Sequence, residues 1–325
     1  MRWGVNLPVA ALPLGAHGEF VRALPRLGYT DVWTGEGSGH DALTPLAAAA
    51  AWSPGLRLGT AVVPVSTRGP GVLAQTAVTL AELTDAAVLL GIGSSVPAHV
   101  TRLNGVPFDR PLTRVRDTAR FLRATLRGDV PPADLTTIAT EPYVLPVLPT
   151  HVPKVLVGAL RPHMLQLAYD DADGAVVNVL FAEDLDPVLA AIGARRRPDD
   201  ELIVKLFVHP TEDQAAARVA GRRFLGWIMN QPPYAAFHEW LGRGDELAAS
   251  RARADQGDVV AAGDAIPDHV IDALWLHGDV ESIRSGIRRY VRPEVTGIVV
   301  HLSNAFPQAA DPDALADLLG TLVAP

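Results

Sequence analysis

The sequence predicts a (β/α)8 barrel, and three observations lead to this prediction. Eight short apolar runs alternate with longer amphipathic segments along the chain, as expected of repeated strand and helix units. Most of these runs are rich in valine, isoleucine and leucine without alternation, which is typical of parallel strands covered on both faces. The chain has 325 residues, 48% of them hydrophobic, which suffices for one large core. A doubly wound sheet is the competing architecture.

Eight predicted strands and nine predicted helices follow one another in chain order. The strands are Trp3–Leu7, Asp31–Glu36, Leu56–Val65, Ala87–Gly93, Lys154–Ala159, Gly174–Val179, Leu202–His209 and Gly297–Ser303. The helices are Gly18–Leu27, Thr44–Trp52, Gly71–Leu83, Arg114–Leu126, Arg161–Ala168, Glu183–Ile192, Glu212–Leu225, Ser282–Tyr290 and Pro312–Leu322. Eight such pairs fit the usual size of a closed barrel.

Two stretches exceed what eight units need. Residues 128–152 follow the fourth helix and are rich in proline, so we expect an inserted loop there. Residues 226–280 follow the seventh strand and its helix, and their aromatic residues indicate a helical insertion that forms a lid. No linker, charge block or repeat divides the chain, and we therefore expect residues 1–325 to form one domain.

Composition excludes several classes of function. The 28 basic and 36 acidic residues give a net charge of -8, which disfavours nucleic acid and anionic membranes as partners. The absence of cysteine excludes a disulfide scaffold and a thiol nucleophile. The ten histidines show no metal-ligand spacing, so no metal site is predicted. With no secretory signal and no apolar run long enough for a bilayer, we expect a cytoplasmic protein.

Candidate site residues are those that follow the strands, because the carboxyl ends of barrel strands form the active face. They are Asn6, Glu36, His40, Arg68, Ser94, Ser95, Gly158, Asn178, His209, His301, Ser303 and Asn304. Glu36 and His40 form the best acid–base pair among them. The alternative is that both only hydrogen-bond the backbone of their loop.

Two loops are suited to binding a phosphate group. Gly91, Gly93, Ser94 and Ser95 place backbone N–H groups and hydroxyls directly after a strand. Residues 157–162, which include Gly158, Ala159 and Arg161, open a helix and add its dipole and a guanidinium. Either loop alone could be a tight turn, but adjacent strands would aim both at one point. The third glycine of a dinucleotide fingerprint is missing, so nicotinamide is not favoured.

Seven segments, in order and at matching spacing, resemble the luciferase-like monooxygenase superfamily and, within it, the coenzyme F420-dependent oxidoreductases. They are Asp31–Glu36, Leu58–Val65, Thr67–Pro70 with Leu73–Ala77, Leu90–Ser95, Gly105–Pro111, Val157–Leu165 and Ala172–Asn178. The resemblance implies a bacterial-luciferase-like barrel with an insertion after strand seven. It also implies a hydride transfer between the deazaflavin F420 and a small organic substrate, with secondary metabolism as one setting.

The resemblance further implies where the cofactor and substrate bind. A non-proline cis peptide between Ala61 and Val62 is expected behind the cofactor ring. The implied cofactor-binding residues are Glu36, Ala61, Val62, Gly91, Gly93, Ser94, Ser95, Gly158, Ala159 and Arg161. For protonation of the substrate we favour His40 or Glu36, and then His209 or His301. The expected substrate contacts are Asn6, Trp33, His209, Trp227, Tyr234 and His301.

Two departures from the family pattern leave alternatives open. Thr84–Ala87 replaces the usual Gly-Gly-Arg before strand four, and Ser95 replaces a glycine where a phosphate or ring approaches. One alternative is an FMN-dependent monooxygenase whose reduced flavin comes from a separate reductase. Another is a barrel that has lost cofactor binding and has a cofactor-independent or non-enzymatic role. A homodimer is the oligomeric state that the resemblance suggests.

Overall fold

Eight parallel strands close into the predicted barrel in the computed structural model, which describes residues 1–10, 12–37, 39–139, 143–303 and 311–323. The described residues contain ten strands, of which β4 and β9 lie outside the ring of eight: β1 (Arg2–Asn6), β2 (Asp31–Thr34), β3 (Arg57–Thr60), β4 (Val63–Pro64), β5 (Val88–Gly93), β6 (Lys154–Gly158), β7 (Gly174–Asn178), β8 (Glu201–Pro210), β9 (Trp275–Gly278) and β10 (Gly297–Leu302). Neighbours follow the order β1, β2, β3, β5, β6, β7, β8, β10, and β10 pairs with β1 to close the ring.

The third predicted strand, Leu56–Val65, is interrupted rather than continuous. The peptide bond between Ala61 and Val62 is cis, as the resemblance implied. Strand β3 ends before this bond, and β4 resumes after it to pair with Ile92 and Gly93 of β5. The bulge between them places Ala61 and Val62 at the carboxyl end of the barrel.

Thirteen α-helices are present in the described part of the chain. They are α1 (His17–Ala23), α2 (Leu43–Trp52), α3 (Pro70–Leu83), α4 (Pro111–Thr125), α5 (Pro162–Asp170), α6 (Leu185–Ile192), α7 (Gln214–Ile228), α8 (Pro232–Trp240), α9 (Ala248–Asp255), α10 (Val259–Asp264), α11 (Asp268–Leu274), α12 (Val280–Arg288) and α13 (Pro312–Val323). Each of the nine predicted helices has its counterpart. Proline begins α3, α4 and α5 because its fixed φ suits the first helical turn, where its missing N–H costs no hydrogen bond.

The two predicted insertions differ in structure. Residues 128–152 contain no helix or strand where they are described. Residues 226–280 contain α8 to α11, but also β9, which the sequence reading missed. β9 pairs with Phe207–Pro210, the end of β8 that extends past its partner β7. Because β7 does not reach this end of β8, its backbone groups are free to pair with Trp275–Gly278, which explains why so short a segment forms a strand.

The barrel interior is filled by side chains that point inward from six strands. This inner cluster consists of Trp33, Leu89, Leu156, Val176, Ile203 and Val299. Gly59 makes room for the indole of Trp33, because a Cβ there would lie 2.4 Å from the ring. The interior is therefore a packed core, and space for a ligand remains only above it.

An ion cluster closes the opposite, amino-terminal end of the barrel. Glu201 is buried and accepts hydrogen bonds from Arg2, Arg57 and Lys154. Burial alone would raise the pKa of Glu201, but the Thr296 hydroxyl and the three cations outweigh it and hold this pKa at about 2.

No helix in the described ranges combines the length and hydropathy that a membrane span requires.

Candidate active site

A central cavity of about 190 Å³ opens at the carboxyl end of the barrel. Both glycine-containing loops line it, Ser94 and Ser95 from one side and Gly158 and Ala159 from the other. The two loops predicted from the sequence to converge therefore border the same space. The remaining lining residues include Glu36, Ala61, Val62, Gly93, His99, Asn178, Trp227 and Tyr234.

Val62 forms the floor on which the two loops rest. A Cβ on Gly93 would lie 2.7 Å from Val62 Cγ2, and one on Gly158 would lie 3.1 Å from Val62 Cγ1. Side chains at either position would displace Val62 into the cavity. This cradle, kept open by two glycines, fits a flat ring that approaches the backbone closely.

An outer groove of about 640 Å³ continues from the central cavity and shares Ser94, Gly158 and Leu160 with it. Its walls are mainly apolar and include Phe108, Leu112, Met164 and Trp240, with Arg161 and Glu239 as charged residues. Cavity and groove together fall in the range of roughly 300–1,000 Å³ typical of ligand sites. A ring system with an extended polar tail would occupy both.

Glu36 lines the central cavity, but its carboxylate already has partners. Arg68 donates from Nη2 to Oε2 at 2.7 Å and from Nε to both oxygens. The backbone N–H of Ala42 donates to Oε2 as well. The hydrogen bond with Glu36 raises the pKa of Arg68 above its ordinary value. Glu36 thus anchors the loop after β2 and lines the central cavity, and its role as a cofactor contact stays a prediction.

His40 lies away from the central cavity. It is exposed and lines a separate rim cavity of about 190 Å³ with Glu36, Arg68 and His99. The predicted acid–base pair of Glu36 and His40 therefore shares a loop, but only Glu36 reaches the central space. His99 borders both cavities and packs against Trp227, with ring centroids 5.4 Å apart and 30° between the ring planes.

Three predicted contacts are corrected by the structure. Trp33 is fully buried in the inner cluster and cannot wall a substrate site. Gly91 is also buried, and a Cβ there would lie 1.9 Å from the carbonyl oxygen of Thr60, so this glycine permits strand packing rather than phosphate binding. His209 is buried, with Nδ1 2.5 Å from the Ser303 hydroxyl, and borders none of the cavities described here.

Other predicted residues are placed as follows. Asn6 is buried and donates from Nδ2 to the carbonyl of Leu7, while its Oδ1 has no hydrogen-bond partner in the described structure. Arg161 is exposed at the edge of the outer groove. Trp227 and Tyr234 line the central cavity, and the Tyr234 hydroxyl donates to Asn178 Oδ1 at 3.3 Å. Asn304 lies outside the described residues.

A further cavity of about 360 Å³, separate from the central cavity, lies between the ends of β8, β9 and β10, and we call it the β8–β10 cavity. Its lining consists of Phe207, Ala220, Arg223, Phe224, Trp275, His301 and Ser303. Burial, and then the charge of Lys205, hold the pKa of His301 well below its ordinary value. The imidazole of His301 is therefore neutral at physiological pH.

Helix α7 borders both the central cavity and the β8–β10 cavity. Trp227 and Ile228 face the central cavity, whereas Ala220, Arg223 and Phe224 face the β8–β10 cavity. Phe224 and Trp227 are one helical turn apart, about 4.5 Å along the axis. The two cavities are thus neighbours beneath the first helix after β8.

Lys205 is a buried charged residue that the sequence analysis did not single out. It occupies the middle of β8, is 6% exposed, and its Nζ lies 6.0 Å from the centroid of the Phe207 ring. A Cβ on Gly35 would lie 3.7 Å from this Nζ, so the ammonium reaches across to the loop after β2. Burial lowers the pKa of Lys205 to about 8. The sequence feature that could have pointed to Lys205 is a lysine within an apolar strand. This chain has only two lysines, Lys154 and Lys205.

The described residues contain no cluster of histidine and carboxylate groups that could hold a metal ion.

Comparison with known proteins identifies the family. The model of the luciferase-like monooxygenase family matches residues 1–297. A Mycobacterium tuberculosis protein named "putative coenzyme F420-dependent oxidoreductase" is 29% identical over 338 aligned positions, which cover 94% of this chain and 96% of that protein.

Two solved structures share the fold. The coenzyme F420-dependent tetrahydromethanopterin reductase of Methanopyrus kandleri superposes with a TM-score of 0.78 at 18% identity, covering 98% of this chain and 97% of its own. The oxygenating constituent of 3,6-diketocamphane monooxygenase from Pseudomonas putida, solved with FMN, gives 0.64 at 14% identity, covering 99% and 96%. The match to the family model spans most of the chain, and this protein therefore belongs to the luciferase-like monooxygenase family.

Proposed function

We propose that this protein is an oxidoreductase that binds coenzyme F420 in the central cavity and transfers a hydride between it and a small organic substrate. The observation that carries the proposal is the glycine cradle, in which Gly93 and Gly158 leave space above Val62 for a flat ring. The name of the mycobacterial relative supports the choice of cofactor.

In this proposal the chain positions the reactants rather than forming a bond with them. A bound deazaflavin supplies the carbon that accepts or donates the hydride. Val62 would support the ring of such a cofactor, and the backbone N–H groups near Ser94, Ser95 and Gly158 would hold its phosphate group. Trp227 and Tyr234 cover the cavity and exclude water, which favours hydride transfer over side reactions.

FMN is the second candidate cofactor, and the composition of the outer groove favours it. Among the described residues that line it, Arg161 is the one arginine or lysine, and Glu239 supplies an anion. Of the other arginines that could flank a polyglutamate tail, Arg68 pairs with Glu36 and Arg114 with Asp109, whereas Arg102 and Arg110 form no ion pair within the described residues. FMN has no such tail and would leave the groove to other ligands.

A barrel without a cofactor is the least supported alternative. Such a protein would have its two glycine-containing loops closed against each other, with Ser95 filling the space between them. Here the loops instead border an open cavity that leads into the outer groove.

Titration of the cofactor-free protein with F420 and, separately, with FMN tests the proposal. The fluorescence of Trp227, which lines the cavity, should be quenched on binding. Gly158→Ala should weaken binding of the preferred cofactor by roughly tenfold, because its methyl group pushes Val62 into the ring position. Gly71→Ala is the matched control, since nothing lies within 4 Å of a Cβ there.

Tight binding of F420 that is lost in Gly158→Ala would support the proposal. Preference for FMN would move the assignment to a flavin monooxygenase. Binding of neither would overturn both.

The protein's location and quaternary structure are part of the same proposal. We propose a cytoplasmic protein of one domain that acts on a small molecule, with a separate reductase renewing its reduced cofactor. A homodimer is the proposed assembly. Sedimentation of the purified protein would distinguish it from a monomer.

A further inference from the structure

We propose that the β8–β10 cavity binds the substrate, and that this substrate is a planar, conjugated molecule that carries a negative charge. The inference rests on the proposed function, because it assigns the central cavity to the cofactor. It adds a location and a chemical class for the substrate.

The walls of the β8–β10 cavity favour a planar ligand. The rings of Phe207 and Phe224 have centroids 4.6 Å apart, and Trp275 lies 5.4 Å from Phe224. Phe207 and Trp275 are nearly parallel, with 16° between their planes. The three rings pack against one another along one side of the cavity, and this aromatic side favours contact with a conjugated ring over a saturated one.

The charges around this cavity favour an anion. Arg223 lines it, is exposed, and forms no ion pair within the described ranges. Lys205 lies behind Phe207, and no carboxylate in the described part of the chain comes within 4.0 Å of its Nζ. No Asp or Glu is among the described residues that line it. A buried ammonium without a counterion is costly, and an anionic ligand would remove that cost.

The cavity also offers neutral polar groups. His301 and Ser303 line it, and His301 Nδ1 has no hydrogen-bond partner among the residues described. The Ser303 hydroxyl is held by His209. An oxygen of the ligand could therefore be bound by the imidazole while the cations balance its charge.

The position of the cavity suits a substrate. Its α7 residue Phe224 is about one helical turn from Trp227, which lines the central cavity, so the two cavities border the same helix. Hydride transfer requires the two reactants to be in contact, and adjacent cavities under one helix meet this need. Two further spaces adjoin the central cavity: the outer groove, which is assigned to the cofactor's tail, and the rim cavity beside His40, which shares Glu36 and His99 with it.

Three probes of similar size separate shape from charge. They are 2-naphthoate, which is planar and anionic, 2-naphthylmethanol, which is planar and neutral, and decalin-2-carboxylate, which is saturated and anionic. Saturation-transfer NMR and calorimetry measure their binding to the full chain. We expect 2-naphthoate to bind roughly tenfold more tightly than either of the others.

Lys205→Met tests the source of the charge preference. It should reduce the affinity for 2-naphthoate by roughly tenfold and change that for 2-naphthylmethanol by less than about twofold. Lys154→Met is the matched control, because it removes the only other lysine at the opposite end of the barrel. Arg223→Met provides a second variant on the exposed surface of α7, should the buried substitution impair folding, and we expect roughly a threefold loss for the anion.

Equal binding of the charged and neutral naphthalenes, or unchanged naphthoate affinity in both Lys205→Met and Arg223→Met, would overturn the inference. F420 titrations of the same samples keep the two proposals apart. F420 binding without discrimination among the probes defeats only the substrate class. Selective naphthoate binding without F420 or FMN binding defeats the proposed function.

Discussion

Arg68 holds the carboxylate of Glu36 with two of its nitrogens, Nη2 at 2.7 Å and Nε at 3.0 Å from Oε2. These bonds, together with the one from the Ala42 N–H, fix the loop after β2, and this is the role we assign to Glu36. We expect Glu36→Gln to lower the free energy of unfolding by about 1 kcal/mol, because both groups are only partly buried. Urea unfolding of Glu36→Gln, Arg68→Met and the double variant measures the coupling, and a coupling near zero would contradict this role.

Lys205 should titrate near pH 8, since burial is what lowers its pKa. Its neighbour on β10, His301, is neutral in this range, as its pKa lies well below the ordinary value. The unfolded chain binds more protons at Lys205 between about pH 8 and its ordinary pKa of 10.5, so this residue's contribution to stability rises with pH in that interval.

The two lysines make this prediction simple to measure. Protein labelled with ¹³C at lysine Cε has two lysine signals, and Lys154→Arg leaves only that of Lys205. A midpoint close to 8 is expected. A midpoint near 10.5 would show that the ammonium is solvated, and the charge argument for the substrate would lose its basis.

Ser95 adopts a left-handed backbone conformation, with φ of 59°. Glycine adopts this conformation without steric cost, so Ser95→Gly should raise the free energy of unfolding by about 0.5–1 kcal/mol. Ser94→Gly, at a position without this conformation, is the control and should lower it. A destabilised Ser95→Gly variant would mean that the serine side chain contributes more than its backbone costs.

Glu201 should make the barrel sensitive to acid. Its pKa falls from 4.5 in the unfolded chain to about 2 in the folded protein. The resulting stability, about 3 kcal/mol, is fully present above pH 4.5 and is lost as the pH falls through 2. Glu201→Gln should remove this acid dependence and lower stability at neutral pH. Glu281→Gln, an exposed carboxylate, should change neither, and unfolding curves between pH 2 and 7 measure both.

The barrel could be predicted from the sequence because each strand of the ring is an apolar run whose neighbouring strands are equally apolar. β9 could not, since Trp275–Gly278 is too short to show a pattern, and its strand conformation depends on the free edge of β8. The same limit applies to the site. Ser94, Ser95, Gly158 and Ala159 were predicted to converge because they follow neighbouring strands.

Side chains that cross the barrel were harder to predict. In a strand covered on both faces, the sequence pattern does not show which side chains point into the barrel. For this reason Trp33 was expected at the surface of the site and Lys205 was overlooked. The ion pair between Glu36 and Arg68 joins residues 32 positions apart, and no local sequence pattern predicts it.

The ion cluster around Glu201 bears on how the chain reaches its final form. Arg2 and Glu201 are 199 positions apart, yet their side chains meet at 2.7 Å. Their contact can form only after β1 and β8 have come together in the ring, because the long chain segment between them must close first. Substitution of Arg2 should therefore speed unfolding and leave the early folding rate almost unchanged, which makes this pair a reporter of the moment when the barrel closes.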